Sequence, residues 1–472
     1  MLTINDLHSY QKYTIALAIK RRHTAIFLGT GLGKTIIAQT IVDQLLKRKW
    51  INSALIICTK KAMYNTWRQE AKLWKHTQYL KFSIIHGDAM HGPANYVKRR
   101  KLFEPAHIYL INYEGLPWLS EVLSRSFYSK PLPFQCIFYD ESTKIKHSTT
   151  QRFKKFKKHM GRFVYRYPMT GTPTPNGLMD LYGQMYVTDL GLSLGTSVTS
   201  FRRRFFMSIP KDNYCIHKPI RGAKKAVAKR VQDRVIYLRK QDYIKLPPIT
   251  YNKISLDLSD KLRKKYDVLE HTFFLELEKA KVEAFSKSAL SIKLRQFLQG
   301  KVYIGIAKER RTATIHTEKL QMIEEVMEGI GNCIIAYNFR FERDDLQKVF
   351  KNAPAIDGRT TDKQSTEYIK RWNLKQLPIL LYNPASDPHG LNLQFGGHNI
   401  LWYSLPWNFE HYIQLIDRLW RQKQKNKVFV HHILFRDTVD EVIFKTLSSK
   451  DADQQSLLNN LKMYKKKKGG NL

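Results

Sequence analysis

The stretch Ala25-Ile26-Phe27-Leu28-Gly29-Thr30-Gly31-Leu32-Gly33-Lys34-Thr35 decides the fold. Four apolar residues are too few for a helix but enough for a buried strand. Three glycines follow, and then Thr35–Leu46 carries apolar residues at three- and four-residue spacing. Strand, glycine turn and helix in that order make a phosphate-binding loop. Glycines let backbone N–H groups face the phosphates, and the helix N-terminus adds positive potential. Gly31 and Gly33 shape the turn, Lys34 reaches the β- and γ-phosphates, and the Thr35 hydroxyl ligates Mg²⁺. The strict pattern places a glycine five positions before Gly33, where this chain has Leu28.

Working outward, short apolar runs alternate with helix-period segments. The runs are Ala25–Leu28, Ala54–Cys58, Phe82–His86, Ile108–Ile111, Cys136–Tyr139 and Phe163–Tyr167. Segments such as Ala62–Trp74 lie between them. This βαβα order predicts a parallel sheet covered by helices. A second set begins at Cys333–Tyr337 and continues through Ile379–Tyr382, Asn399–Tyr403 and Val428–Leu434. The expected division is a first α/β unit over residues 1–240, including a basic segment at 201–240. A linker with a helical insertion follows at 241–310, then a second α/β unit at 311–460 and a basic tail at 461–472. The chain's 472 residues allow two or three domains at roughly 100–200 residues each.

The formal charge is +40, with 80 Lys and Arg against 40 Asp and Glu. Such a surface repels itself unless a polyanion is near. Nucleic acid is the expected partner, because each neutralised phosphate releases condensed counterions. No apolar run reaches the length of a membrane span and no secretory signal is read, so a membrane partner is not expected. The four cysteines, Cys58, Cys136, Cys215 and Cys333, are far apart and form no CxxC or Cys/His cluster. Neither a zinc site nor a disulfide framework is expected, and a cytoplasmic setting fits. Lys465–Lys468 leaves a nuclear address as a weak alternative.

A phosphate loop needs carboxylates. Cys136–Tyr139 ends in Asp140-Glu141, a pair at the end of a buried strand. Asp140 is expected to hold Mg²⁺ and Glu141 to polarise the attacking water. The negative charge that develops on the γ-phosphate needs cations. Arg418 and Arg421, three apart in the second unit, are the candidates, expected on one helical face.

These motifs, in this order, resemble the Swi/Snf-like branch of superfamily-two helicases from about Leu7 to Leu447. Leu7-His8-Ser9-Tyr10-Gln11 resembles the adenine-reading motif, and Gly31–Thr35 the phosphate loop. Leu55–Cys58 through Trp67 and Glu70 resembles a segment where the family grips nucleic acid. Asn112-Tyr113-Glu114 resembles its next one, and Asp140–Lys146 its DEAH-type box. Thr170-Gly171-Thr172-Pro173 resembles the coupling motif, Gly390–Leu393 the fifth motif, Trp407-Asn408 the tryptophan–asparagine after it, and Gln414–Gln422 the arginine motif. The resemblance implies two RecA-like lobes with parallel sheets and ATP with Mg²⁺ in the cleft between them. It places Gln11, Gly390 and Gln414 on the nucleotide. It gives Thr170, Gly171 and Thr172 the task of coupling, and Lys60, Lys61, Asn112 and Tyr113 contact with nucleic acid. It further implies movement along duplex DNA with little sequence preference, in replication, recombination or repair in a bacterial or infected-host cytoplasm. A strand-separating helicase and a nucleotide-switched binding protein are the rival functions. Thr59, Ser142-Thr143 and Asp387-Pro388 depart from the family pattern.

Overall fold

The computed structural model describes residues 1–60, 62–86, 100–126, 133–211, 214–279, 292–305, 311–351, 353–386 and 391–451. Two parallel sheets dominate. The first contains β1 (Ala25–Leu28), β2 (Ala54–Cys58), β3 (Phe82–Ile85), β4 (Ile108–Asn112), β5 (Cys136–Asp140), β6 (Tyr165–Thr170) and β9 (Val235–Leu238). Their order in space is β3-β4-β2-β5-β6-β1-β9. The period of two along a strand explains why these runs are apolar throughout. Ala25, Phe27, Leu55, Ile57, Ile137 and Tyr139 face one core. Ile26, Leu28, Ala54, Ile56, Cys136 and Phe138 face the other. Helices cover both faces, so no position along such a strand can be polar without cost.

The second sheet contains β10 (Ile249–Leu256), β13 (Cys333–Ala336), β14 (Ala355–Ile356), β15 (Ile379–Tyr382), β16 (Asn399–Trp402) and β17 (Val428–Phe435). Its order is β10-β17-β16-β13-β15-β14, all parallel. These are the two RecA-like lobes.

The expected boundaries need correction. β10 pairs with β17 along eight residues, from Ile249 with Val428 to Leu256 with Phe435. Leu256, Leu262, Tyr266 and Phe297 belong to the second core. The second lobe therefore takes residues from 249 onward, and most of the supposed linker is part of it. The cause is burial: Leu256 and the start of helix Asp260–Lys279 complete an apolar core that the strands from 333 onward leave open. Among the described residues two antiparallel strand pairs also occur, one in the basic segment and one from the end of the insertion into the expected second unit. These are β7 (Phe206–Lys211) with β8 (Tyr214–Pro219), and β11 (Lys301–Ile304) with β12 (Arg311–Thr314). The basic tail at 461–472 lies outside the described residues. Among those described, no helix is long and apolar enough to cross a membrane. Cys58, Cys136 and Cys333 are buried free thiols and Cys215 is exposed.

One close approach ties the core to the site. Gly183, inside helix Leu181–Asp189, lies under the turn that follows β5. A Cβ there would meet the carbonyl oxygens of Lys146 at 2.4 Å and Ile145 at 2.5 Å. Backbone cannot yield as a side-chain tip can. Gly183→Ala is expected to destabilise the chain by about 1–3 kcal/mol, read as a lowered midpoint in thermal unfolding.

Candidate active site

Parallel strands place all their carboxyl ends on one edge, and the strand order β5-β6-β1 brings three functional turns side by side. After β1 comes the phosphate loop. Gly31 and Gly33 have φ of +89° and +75°, in the region open to glycine. Lys34 opens helix Lys34–Lys47, and its Nζ donates to the Leu28 carbonyl at 3.1 Å. The residue that breaks the strict glycine pattern thus supplies a resting place for the loop lysine. Gln11 lies behind the loop, its Nε2 donating to the Leu32 carbonyl at 3.2 Å. A Cβ on Gly33 would stand 2.4 Å from that same nitrogen.

After β5 come Asp140 and Glu141. Glu141 has a left-handed φ of +52°, which turns the chain into the short 3₁₀ helix Ser142–Ile145. The strain is braced by Tyr113, whose hydroxyl donates to the Asp140 carbonyl at 2.7 Å and also reaches the Glu141 carbonyl. The Asp140 carboxyl is pushed up to about 7 by burial and by the charge of Glu141, against the opposing pull of Lys34. After β6 come Thr170, Gly171 and Thr172. The Thr170 hydroxyl donates to Glu141 Oε2 at 3.4 Å, and the Thr172 amide donates to Thr170 Oγ1 at 3.2 Å. A Cβ on Gly171 would meet Thr30 Oγ1 at 3.0 Å. The Thr170–Thr172 segment therefore touches Glu141 on one side and the glycine loop after β1 on the other.

The second lobe closes the site. Helix Phe409–Leu419 ends one residue before Trp420, so Arg421 lies just beyond the helix and not on it, contrary to expectation. Just past the helix end, the Trp420 indole donates to the Pro247 carbonyl at 2.8 Å and the Lys240 ammonium lies 4.4 Å from its ring centre. Arg421 still reaches the loop: its side chain is 3.9 Å from where a Cβ on Gly31 would stand, and its Nη1 donates to the Leu391 carbonyl. Burial and the neighbouring Arg418 lower its pKa to about 10. Arg418 is buried and lines the same cleft. That cleft holds about 480 Å³ between Gln11, Gly31, Lys34, Thr35, Asp140, Glu141, Gln414, Arg418 and Arg421, among others.

Most expected nucleotide and metal residues are thus brought together. Gly390 lies outside the described residues, although Asn392 lines the cleft. The nucleic-acid group does not hold together. Lys60 is exposed, Asn112 is half-buried and donates to Glu114, and Lys61 lies outside the described residues. Tyr113 is 1% exposed and bonded to the carboxylate turn, so its side chain is a brace and not a nucleic-acid contact. Trp67 is likewise fully buried, and Glu70 lines the nucleotide cleft. Two contacts between lobes had no signal in the sequence. Lys240 donates to Asp417, and Thr143 donates to Glu410 at 2.8 Å.

A buried carboxyl that resists ionisation opposes paired arginines across one cleft. That separation of charge fits a metal-bound polyphosphate. The apparent Mg²⁺ affinity in the presence of nucleotide should be flat above pH 8. It should then weaken by up to about tenfold per unit below pH 7, because a proton on Asp140 must first be displaced. A fluorescence titration of Mg²⁺ at fixed nucleotide across pH 6–9 measures this; a flat profile contradicts it.

A model of the SNF2-related domain matches residues 10–301. A protein described as putative protein p41, from Acyrthosiphon pisum secondary endosymbiont phage 1, is 30% identical over 468 residues, covering 96% of this chain and 98% of its own. The mouse DNA repair and recombination protein RAD54B is 24% identical, covering 89% of this chain but 52% of its own. An uncharacterized ATP-dependent helicase of Mycoplasma genitalium is 24% identical, covering 98% and 43%. The chain thus spans about half, or less, of the last two. Among solved structures, the SWI2/SNF2 ATPase core of Sulfolobus solfataricus in complex with dsDNA aligns with a TM-score of 0.43 at 20% identity, covering 96% of this chain and 94% of its own.

Proposed function

The chain belongs to the SNF2-related family, and from that premise we propose that it is an ATP-driven motor that moves along duplex DNA without reading its sequence. The observation that carries this reading is the placement of Arg421, from the second lobe, against the phosphate loop of the first. Chemistry that draws groups from both lobes proceeds only when the lobes close, and closure is motion.

The residues divide the work as follows. Backbone amides of the loop at Gly31–Lys34 bind the phosphates of ATP. Lys34 leaves the Leu28 carbonyl to pair with them, so ATP binding exchanges an internal hydrogen bond for a charged one. Thr35 and Asp140 would hold Mg²⁺, a hard ion suited to hydroxyl and carboxylate oxygen, and the raised Asp140 carboxyl is an imbalance that such a cation removes. When bound, the ion supplies charge neutralisation at the phosphate oxygens. Glu141, held by the Thr170 hydroxyl, orients water for attack on the γ-phosphorus. Arg418 and Arg421 stabilise the charge that collects on the γ-phosphate oxygens. Thr170-Gly171-Thr172, wedged between Glu141 and Thr30, feels the loss of the γ-phosphate and passes the change outward.

The net charge of +40 suits a long polyanionic track. The names of its relatives, among them DNA repair and recombination proteins, favour DNA and a role in replication, recombination or repair. The phage relative favours a bacterial or infected-host cytoplasm.

ATP turnover should rise strongly with added duplex DNA; equal turnover with and without DNA sinks the motor reading. Release of a triplex-forming strand with no separation of the duplex should accompany it. Glu141→Gln should lower kcat by about 10²–10⁴-fold while ATP affinity stays near that of the parent chain. Arg421→Ala should lower kcat similarly, with a smaller effect on nucleotide binding, checked by steady-state ATPase and equilibrium binding side by side.

A further inference from the structure

Helix Phe409–Leu419 meets the first lobe twice with one face. Glu410, Gln414, Asp417 and Arg418 recur at three- and four-residue spacing, which stacks them on a single stripe. At the far end of the stripe Asp417 meets Lys240. At the near end Glu410 Oε1 accepts the Thr143 hydroxyl at 2.8 Å. Thr143 is 3% exposed and lies in the 3₁₀ turn that opens immediately after Glu141. Gln414, one helical turn on and lining the nucleotide cleft, donates its Nε2 to the same Glu410 oxygen at 3.4 Å. Glu410 itself is anchored, since its amide donates to the Asn408 side chain at 2.9 Å as the helix begins.

The result is a continuous path, Thr143 to Glu410 to Gln414, from the carboxylate turn of one lobe to the cleft wall of the other. Burial and the charge of Glu141 both raise the pKa of Glu410, and the Thr143 hydrogen bond with Lys146 and Lys144 opposes them. A carboxylate facing another carboxylate across a lobe interface costs stability, which the hydroxyl and amide donors offset. Thr143 is one of the positions where this chain departs from the family pattern, and the partner that accepts its hydroxyl stands 267 residues away.

We infer that Glu410 is a positioning residue for hydrolysis: through Thr143 it holds the Asp140–Glu141 turn in register with the Gln414 and Arg418 face of the second lobe. Glu141 and the arginines are then aligned only in the closed arrangement. This rests on the ATPase reading above.

The test uses the full chain with duplex DNA and measures kcat and KM for ATP, together with binding of a fluorescent ATP analogue. The variants are Glu410→Ala, Glu410→Gln, Thr143→Val, Thr143→Ser and the double Thr143→Val, Glu410→Ala. In Glu410→Ala and Thr143→Val, kcat should fall about tenfold while KM and analogue affinity stay within about twofold. Glu410→Gln keeps the accepting oxygen and Thr143→Ser keeps the hydroxyl, so both should recover to within about threefold of the parent. The double variant should be no worse than either single one. Unchanged kcat in Glu410→Ala, losses that multiply in the double variant, or a Glu410→Gln as impaired as Glu410→Ala would each overturn the inference. A parent chain that fails to hydrolyse ATP would instead overturn the ATPase reading and take this inference with it.

Discussion

A buried ion pair between Lys240 and Asp417 sets the distance between the two halves of the site. Lys240 packs its own backbone against Gly29, at the start of the phosphate loop, where a Cβ would stand 3.1 Å away. Its ammonium donates to Asp417 and to the Trp420 carbonyl, and lies over the Trp420 ring. Asp417 and Trp420 flank Arg418 and Arg421. One lysine therefore touches both the glycine loop after β1 and the segment that carries Arg418 and Arg421. Burial, with smaller contributions from the charges of Arg421 and Lys34, lowers the pKa of Lys240, and Asp417 opposes them through its charge and hydrogen bond. Removing either partner of such a pair leaves an uncompensated charge, at a cost of about 3–5 kcal/mol. The interaction is expensive to break and of little net benefit to make, which suits a register device more than a source of stability.

Most strands that the sequence shows are buried on both faces, the half-buried edge strand β3 being an exception. Ala25–Leu28, Ala54–Cys58 and Ile379–Tyr382 are continuous apolar runs because helices lie above and below them. β9 (Val235–Leu238), buried throughout, was missed as well, but the other missed strands are those the rule does not cover. β10 is an edge strand whose Thr250, Asn252, Lys253 and Ser255 interrupt the apolar pattern. β14 has two residues, too few for any periodicity. The hairpin strands carry polar residues because neither lies in a core sheet. Misreading β10 also moved the lobe boundary, because one edge strand decides where the second core begins.

The site was legible in the same selective way. Lys34, Asp140, Glu141, Arg418 and Arg421 belong to local patterns of charge beside glycine or strand, and each lies at the cleft. An aromatic after a strand, such as Tyr113, reads the same whether it faces solvent or braces a strained turn. Only the positive φ of Glu141, invisible in sequence, says which. Lys240–Asp417 and Thr143–Glu410 join residues 177 and 267 positions apart. A single sequence contains no trace of such pairs.

β9 is the outer strand of the first sheet and β10 the outer strand of the second, and the chain passes from one to the other through residues 239–248. That crossing carries Lys240 and the Pro247 carbonyl, both held by the arginine segment. In the proposed motor it would serve as the spine of a book, with the loop after β1 close to it: β1 is one strand in, and β3 is six. At about 4.8 Å per strand, a turn of about 10° about the spine moves β1 by about 1 Å and β3 by about 5 Å. Chemistry needs sub-ångström alignment of arginine and phosphate, whereas displacement along a polymer needs ångströms. In the proposed motor, one rotation about this crossing would supply both, with the short radius at the nucleotide and the long radius at the far margin of the lobe.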